Sequence, residues 1–325
     1  MRLRLFAAVV GIGLCLASLP VSAQRSKGMT IGIVIDGPWS QNEEIERRFE
    51  QEIRELTQGE FEVRFHPEKR LMADWTVQGV RAAVDQLLED PDVDLLITSG
   101  VLSSHDICQR GPLSKPSIAP FVINQALQGV PLKDGASGVR NLSYITFPAD
   151  VAYDIEVFRE VVPFTRLVLL SRSIVAQAIP QLRDNLFQAV RDLDIDVTFL
   201  TVGDDAASAL QEIPADAQAV FLAPMLGLAE SELDLLIGGL TKKKLPSYSP
   251  TGTEEVKRGI LVGIAPEFNI PRLSRRVALN VQRILLNEAP ETFQVVFQRG
   301  ERLTINMATA RSIGVYPTWE VMTEA

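Results

Sequence analysis

Residues 29–43, reading MTIGIVIDGPWSQNE, restrict this chain to a narrow set of folds. Residues 30–35 form an almost unbroken apolar run. A strand reads this way when both its faces are covered, as in a parallel sheet held between helix layers. Asp36-Gly37-Pro38-Trp39 then breaks the strand as a turn. Ser40 followed by Glu43 is a capping-box pattern and predicts the start of a helix. The turn of this βα unit lies at the carboxyl end of its strand, where open α/β sheets place their ligands.

The same rhythm continues. Ile45, Phe49, Ile53 and Leu56 recur at helical spacing, and residues 61–65 alternate as a strand. Val80, Val84, Leu87 and Leu88 mark the next helix. A buried strand over 93–97 follows, running into Thr98-Ser99-Gly100. Residues 118–123 read as a further strand, although Pro120 argues against a central place in a sheet, since proline donates no ladder hydrogen bond. The first series ends at 142–148.

A second series follows. It has a helix stripe at Ile155, Phe158, Val161 and Val162, strands over 166–170, 196–202 and 219–223, and one long helix through Ile179, Leu182, Leu186, Val190 and Leu193. A helix over 230–240 is closed by Gly238-Gly239. Short strands at 245–249 and 260–264 flank a helix beginning at Thr251, with Thr251 and Glu254 as a second capping box. Strands alternating with helices at this rhythm specify parallel sheets built from βαβ crossovers. The tail reads as a helix through Leu273, Val277, Val281, Ile284 and Leu285, a strand pair over 293–298 and 302–305, and a short helix over 308–313 ending at Gly314.

The first residues read as a targeting segment. Arg2 and Arg4 precede an apolar stretch over 5–19, and Val21-Ser22-Ala23 fits the small-x-small cleavage rule, so residues 1–23 are expected to be a signal peptide and Gln24 the mature start. The expected location is periplasmic. Loss of Arg2 and Arg4 takes the net charge from −9 to −11. Phosphate-backbone binding needs clustered Lys and Arg, so so acidic a chain points away from nucleic acid. After cleavage Cys108 is the only cysteine, and stability must come from packing. About three hundred residues exceed one comfortable core and suggest two domains.

At this point the residues resemble a known family. Arg275 to Leu286 (RRVALNVQRILL) leads into Thr304-Ile305-Asn306-Met307-Ala308-Thr309-Ala310-Arg311-Ser312-Ile313-Gly314. That segment resembles the closing N-x-x-T-A-x-x-x-G pattern of ABC-transporter substrate-binding proteins related to tryptophan- and other aromatic amino-acid-binding lipoproteins. Lys244-Leu245-Pro246-Ser247-Tyr248 and Glu255-Val256-Lys257-Arg258-Gly259 resemble the same family's strand, acidic helix and K-R-G turn. The resemblance implies an α/β fold of type I periplasmic binding architecture: two Rossmann-like lobes of parallel sheet flanked by helices, joined by three hinge crossings. Carried onto this chain, the crossings fall near 145–148, 263–268 and 293–302. Residues 29–145 plus 270–325 then form one lobe and 148–264 the other. The implied activity is capture of a small molecule, an amino acid or other small polar or aromatic solute, and its delivery to an ABC permease. A non-transport accessory or sensory module on another envelope membrane protein is the alternative. Where the family carries a D-P turn after its fourth strand, this chain has Ile123-Asn124-Gln125-Ala126.

Candidate ligand residues sit at the carboxyl-end turns. Trp39 and Ser40 occupy the first; Trp39 is placed to stack on a flat ligand or to pack against its own loop. Ser99, Gly100 and Ser103 open a helix, where free N–H groups either cradle an anion or are capped by a serine. Asn124 offers an orienting amide. Arg172, beside Ser173, is a carboxylate clamp or a surface arginine. Met225 and Thr251 take the equivalent turns of the second series. Nothing points to a cofactor or a metal: His66 and His105 have no ligand spacing, and no P-loop or nucleophile elbow appears. His105 and Cys108, three residues apart on a helix, are the only pair suggestive of catalysis, and no enzyme activity is expected.

Overall fold

The computed structural model describes residues 28–147, 150–264, 270–297 and 302–318. The expected signal segment and Gln24 lie outside the described residues, as do parts of all three expected crossings. Among the described residues, no helix is long and apolar enough to cross a membrane.

The first sheet is built from β1 (Met29–Ile35), β2 (Val63–Arg64), β3 (Arg70–Met72), β4 (Leu95–Ser99), β5 (Ser117–Val122) and β6 (Leu142–Thr146). Its order is β2-β1-β4-β5-β6, with β3 also pairing β1, and every pairing is parallel. Helices α1 (Asn42–Thr57), α2 (Val77–Glu89), α3 (Val101–Gln109) and α4 (Gln125–Gln128) make the crossovers. The apolar run in β1 serves two cores. Ile31, Ile33 and Ile35 pack with Ile45, Phe49 and Ile53 of α1, while Val34 packs with Val84 and Leu87 of α2.

The second sheet holds β7 (Arg166–Arg172), β8 (Asp196–Val202), β9 (Ala219–Leu222), β10 (Ser247–Ser249), β11 (Val262–Ile264) and β12 (Leu303–Ile305). Its order is β12-β11-β10-β9-β7-β8, parallel except for β12. Around it lie α5 (Val151–Val161), α6 (Ser173–Ala178), α7 (Leu182–Val190), α8 (Ala206–Glu212), α9 (Glu230–Lys242) and α10 (Thr253–Arg258). Ile155 and Phe158 of α5 cover one face with Leu186 and Val190 of α7; Leu236, Ile237 and Leu240 of α9 cover the other.

Several local expectations need correction. Pro120 sits in β5, which lies between β4 and β6. The position is tolerated because β5 pairs with β4 only at Ser117 and Ile118, and its register to β6 shifts between Ala119 and Val122. Gly238-Gly239 does not end α9. A Cβ on Gly239 would lie 2.2 Å from Leu210, so this glycine marks the close approach of α8. The long helix expected through 179–193 forms only over α7: Ile179 is the C-cap of the preceding α6, Pro180 separates the two helices, and Leu193 lies beyond the end of α7. Neither capping box forms: Gln41 and Gly252 occupy the N-cap positions of α1 and α10, with no side-chain cap bond.

The tail divides between the sheets. α11 (Ile270–Leu285) packs Leu273, Val277 and Val281 into the core of the first sheet. Val296 bridges Thr146 in parallel, so residues 295–297 extend the edge beside β6. β12 instead pairs antiparallel with β11, and α12 (Met307–Ile313) sets Ala310 and Ile313 in the core of the second sheet. The expected strand pair is therefore two segments in different sheets. Residues 303–315 pack with the second sheet, whereas the expected first lobe included them.

Candidate ligand-binding site

The carboxyl ends of the two sheets face each other. At the end of β1, Asp36 turns inward and is 2% exposed. Its Oδ2 accepts the amide of Leu102 at 2.7 Å and its Oδ1 that of Ser103 at 2.9 Å, so one carboxylate caps α3 from across the sheet. Burial pushes its pKa above the ordinary carboxylate value, while the Ser103 hydroxyl and the helix amides pull it back. A Cβ on Gly100 would lie 2.1 Å from Asp36 Cγ, and that close approach explains the glycine. The anion cradle expected at Ser99, Gly100 and Ser103 is thus filled by the protein's own carboxylate. Ser103 is fully buried, its hydroxyl donating to Gly100 O at 3.4 Å.

Trp75, between β3 and α2, is the residue that sequence reasoning missed. Its backbone is in the left-handed region at φ 59°, its amide donates to Asp36 O at 2.9 Å, and its Nε1 donates to Pro38 O at 3.0 Å. Its indole fills the space of two absent side chains. A Cβ on Gly37 would lie 2.4 Å from the ring, and one on Gly227, from the second sheet's side, 2.6 Å. The same junction holds an apolar cluster of Val80 and Leu102 with Ile174 of α6, and Leu226 packs against the core of the first sheet. Farther along, Gln181 Nε2 donates to Gln128 O at 2.9 Å and Asn185 Nδ2 to Leu127 O at 3.1 Å, docking α4 onto α7.

Beside these contacts lies a partly open cavity of about 110 Å³ between the sheets. Among the described residues its walls include Val101, Ile123 and Leu127 from the first side and Leu169, Phe199 and Phe221 from the second. The polar side chains on it are Asn124, Gln128, Asp154 and Ser171.

Of the expected ligand residues, Asn124 lines this cavity; its Oδ1 also caps α4 by accepting the amide of Leu127 at 2.8 Å. Arg172 is neither a clamp nor a surface residue. It is 3% exposed and donates to Leu226 O, Val202 O, Gly203 O and Asp204 Oδ1, tying the end of β7 to the segments that follow β8 and β9. Ser173 begins α6 off the cavity wall, where Ser171 stands instead. Met225 packs into the second sheet's core, and its neighbours Pro224 and Leu226 line the cavity. Thr251 shares a 2.6 Å hydroxyl contact with Ser249, leaving Pro250 at the wall. Trp39 and Ser40 are exposed in the first turn and do not line the cavity. Helix α3 carries His105 and Cys108 inward. Burial lowers the imidazole pKa and raises that of the thiol, so Cys108 stays protonated, the form that is not nucleophilic.

No protein-family model matches the sequence, and comparison with curated proteins finds none similar. Solved structures do match. The ABC domain in complex with L-Trp from Streptococcus pneumonia superposes with a TM-score of 0.69 at 16% identity, over 91% of this chain and 98% of that one. The fold is that of type I periplasmic binding proteins. It extends to a carbohydrate transporter solute-binding protein from Agrobacterium radiobacter in complex with D-arabinose (TM-score 0.54, 11% identity, 89% and 98% covered). A ribose operon repressor from Lactobacillus acidophilus shares it too (0.51, 13%, 84% and 95%). Transport proteins and repressors alike use this fold, so it does not by itself assign a role.

Proposed function

We propose that this chain is an exported two-lobe binding protein that closes on a small molecule and presents it to a membrane partner, an ABC permease in the first instance. One lobe comprises the first sheet with α11, and the other the second sheet with β12 and α12. The observation that carries this reading is the cavity, whose walls come from the elements around both sheets. A molecule held there touches both lobes only when they are shut, so binding shifts the open–closed equilibrium by its differential affinity. A permease then distinguishes the shut form. No catalytic step belongs to this reading, and neither nucleic acid nor a cofactor takes part in it.

The test is a thermal-shift screen of the chain from Gln24 onward against amino acids, short carboxylic acids, sugars, nucleosides and small neutral organics. A binder present at a hundred times its Kd adds about 2.7 kcal/mol of stability, which raises the midpoint by several degrees. A flat result across the library, from protein that unfolds cooperatively, would contradict the reading.

One observation favours a second role. Trp75 and Leu226 occupy the junction, and the remaining space of about 110 Å³ falls below the ~300–1,000 Å³ of ordinary ligand pockets. An accessory or sensory module of an envelope complex would need no larger cleft. Co-purification with a membrane complex other than an importer, together with a flat screen, would favour it.

A further inference from the structure

Among the described residues the second sheet ends on β8, a seven-residue strand that pairs with β7 on one side and with no strand on the other. Its faces are covered. Val197 and Phe199 pack toward Leu186 and Val190, and Leu200 toward Ala206 and Ala209. Its edge is bare. Asp196 N donates to Thr165 O at 2.7 Å, so the even-numbered residues address β7 and the backbone groups of Val197, Phe199 and Thr201 point outward. None of these outward N–H and C=O groups has a partner among the described residues.

Proteins normally blunt such an edge with Lys, Pro, a bulge or a very short strand. The corresponding edge of the first sheet does so, ending on the short strands β2 and β3 with Arg64 and Arg70 on them. β8 has none of these devices. It reads Asp-Val-Thr-Phe-Leu-Thr-Val in unbroken register with β7, and its one charge stands at the first position. Strongly strand-forming residues on an open, unguarded edge are a template for another strand.

We infer that β8 pairs antiparallel with β8 of a second copy across a two-fold axis, joining the second sheets of both copies into one. The register follows from the free groups. With Phe199 opposite Phe199 on the axis, Val197 of each copy faces Thr201 of the other, and every outward N–H meets an outward C=O. Centring the pair on Leu200 would instead set Val197 against Gly203, whose carbonyl already accepts from Arg172. It would also set Asp196 against Asp204, whereas the register centred on Phe199 sets Asp196 against the uncharged Val202. The strand is thus its own complement in charge as well as in hydrogen bonds. Only the second sheet takes part, so the contact leaves the first free to move.

The test is hydrogen exchange read residue by residue on the chain from Gln24 onward, dilute and concentrated, beside its mass by sedimentation. A concentration-dependent dimer is expected. The amides of Val197, Phe199 and Thr201 should be protected only in the dimer, and those of Thr198, Leu200 and Val202 at both concentrations. Thr201→Pro removes an outward donor and spares the ladder to β7, since proline is tolerated where the N–H faces away from the sheet. Thr201→Lys adds the charge that guards natural edges. Each is expected to weaken association at least about tenfold while the far-ultraviolet spectrum stays that of the wild type. A chain that remains monomeric at its highest soluble concentration, or a dimer whose odd-numbered β8 amides exchange freely, would overturn the inference. So would protection that appears only when a different envelope protein is added, because the edge would then serve a foreign strand.

Discussion

Replacing Gly227 with valine is expected to drive the two sheets apart. A Cβ at this position would stand 2.6 Å from the Trp75 ring, far inside the ~3.5–4.0 Å of an ordinary carbon contact. Residue 227 also sits at φ 68°, where a side chain costs about 1–2 kcal/mol and a β-branched one is a genuine outlier. Gly37 also closes on the ring, at its Cγ–Cδ1–Nε1 part, which limits where the indole can move. Relief therefore comes from movement of the 225–228 loop, and with it the second sheet. The closed fraction is expected to fall at least about tenfold, and the apparent affinity for any molecule held by both sheets falls by the same factor. Trp75 emission, read in a Trp39→Phe, Trp319→Phe background, should move to the red as the indole meets water. Unchanged emission and unchanged scattering radius would show that Trp75 does not hold the junction.

Asp36→Ala should be the most destabilising single change at the site. It removes two charge-assisted hydrogen bonds and leaves the amides of Leu102 and Ser103 buried without acceptors, a loss of about 2–4 kcal/mol. The effect reads as a lower urea midpoint at an unchanged slope. The pH dependence has a definite sign. Burial raises the folded-state pKa of Asp36, so folding takes up a proton at this site. That contribution is complete below the unfolded-state pKa and fades as pH rises through the folded-state value. The advantage of the wild type over Asp36→Ala should thus shrink, without vanishing, as pH climbs out of the carboxylate range. An advantage that grows over that interval would show that the amide bonds outweigh burial.

Much of the fold was legible because its signals are local. The apolar run of 30–35 and the runs before Ser99, Asn124 and Arg172 mark strands covered on both faces, and the ends of the last three lead to the cavity. The site was legible only in part. Turn position indicated the strand ends, yet a helix start looks the same in sequence whether a ligand or an internal carboxylate fills it, and Asp36 is more than sixty residues from the α3 amides it accepts. Arg172 read as a surface or ligand group because the carbonyls it binds belong to loops thirty and more residues away. Trp75 follows a three-residue strand too short for alternation to reveal, and its glycine neighbours come from either side of the cleft. The division of the tail between the sheets likewise depends on pairings that no local pattern encodes.

The most direct test of the central claim, a cleft that shuts over a small molecule, is the distance between the two sheets in solution. Met72 and Leu235 are exposed on opposite sides of the junction, and spin labels on Met72→Cys and Leu235→Cys report that distance by pulsed electron resonance. Cys108 is 2% exposed and stays unlabelled. The account predicts a broad or two-peaked distribution for the free protein that collapses to its shorter component when a binder from the screen is added. A single distance that no added molecule changes would contradict it.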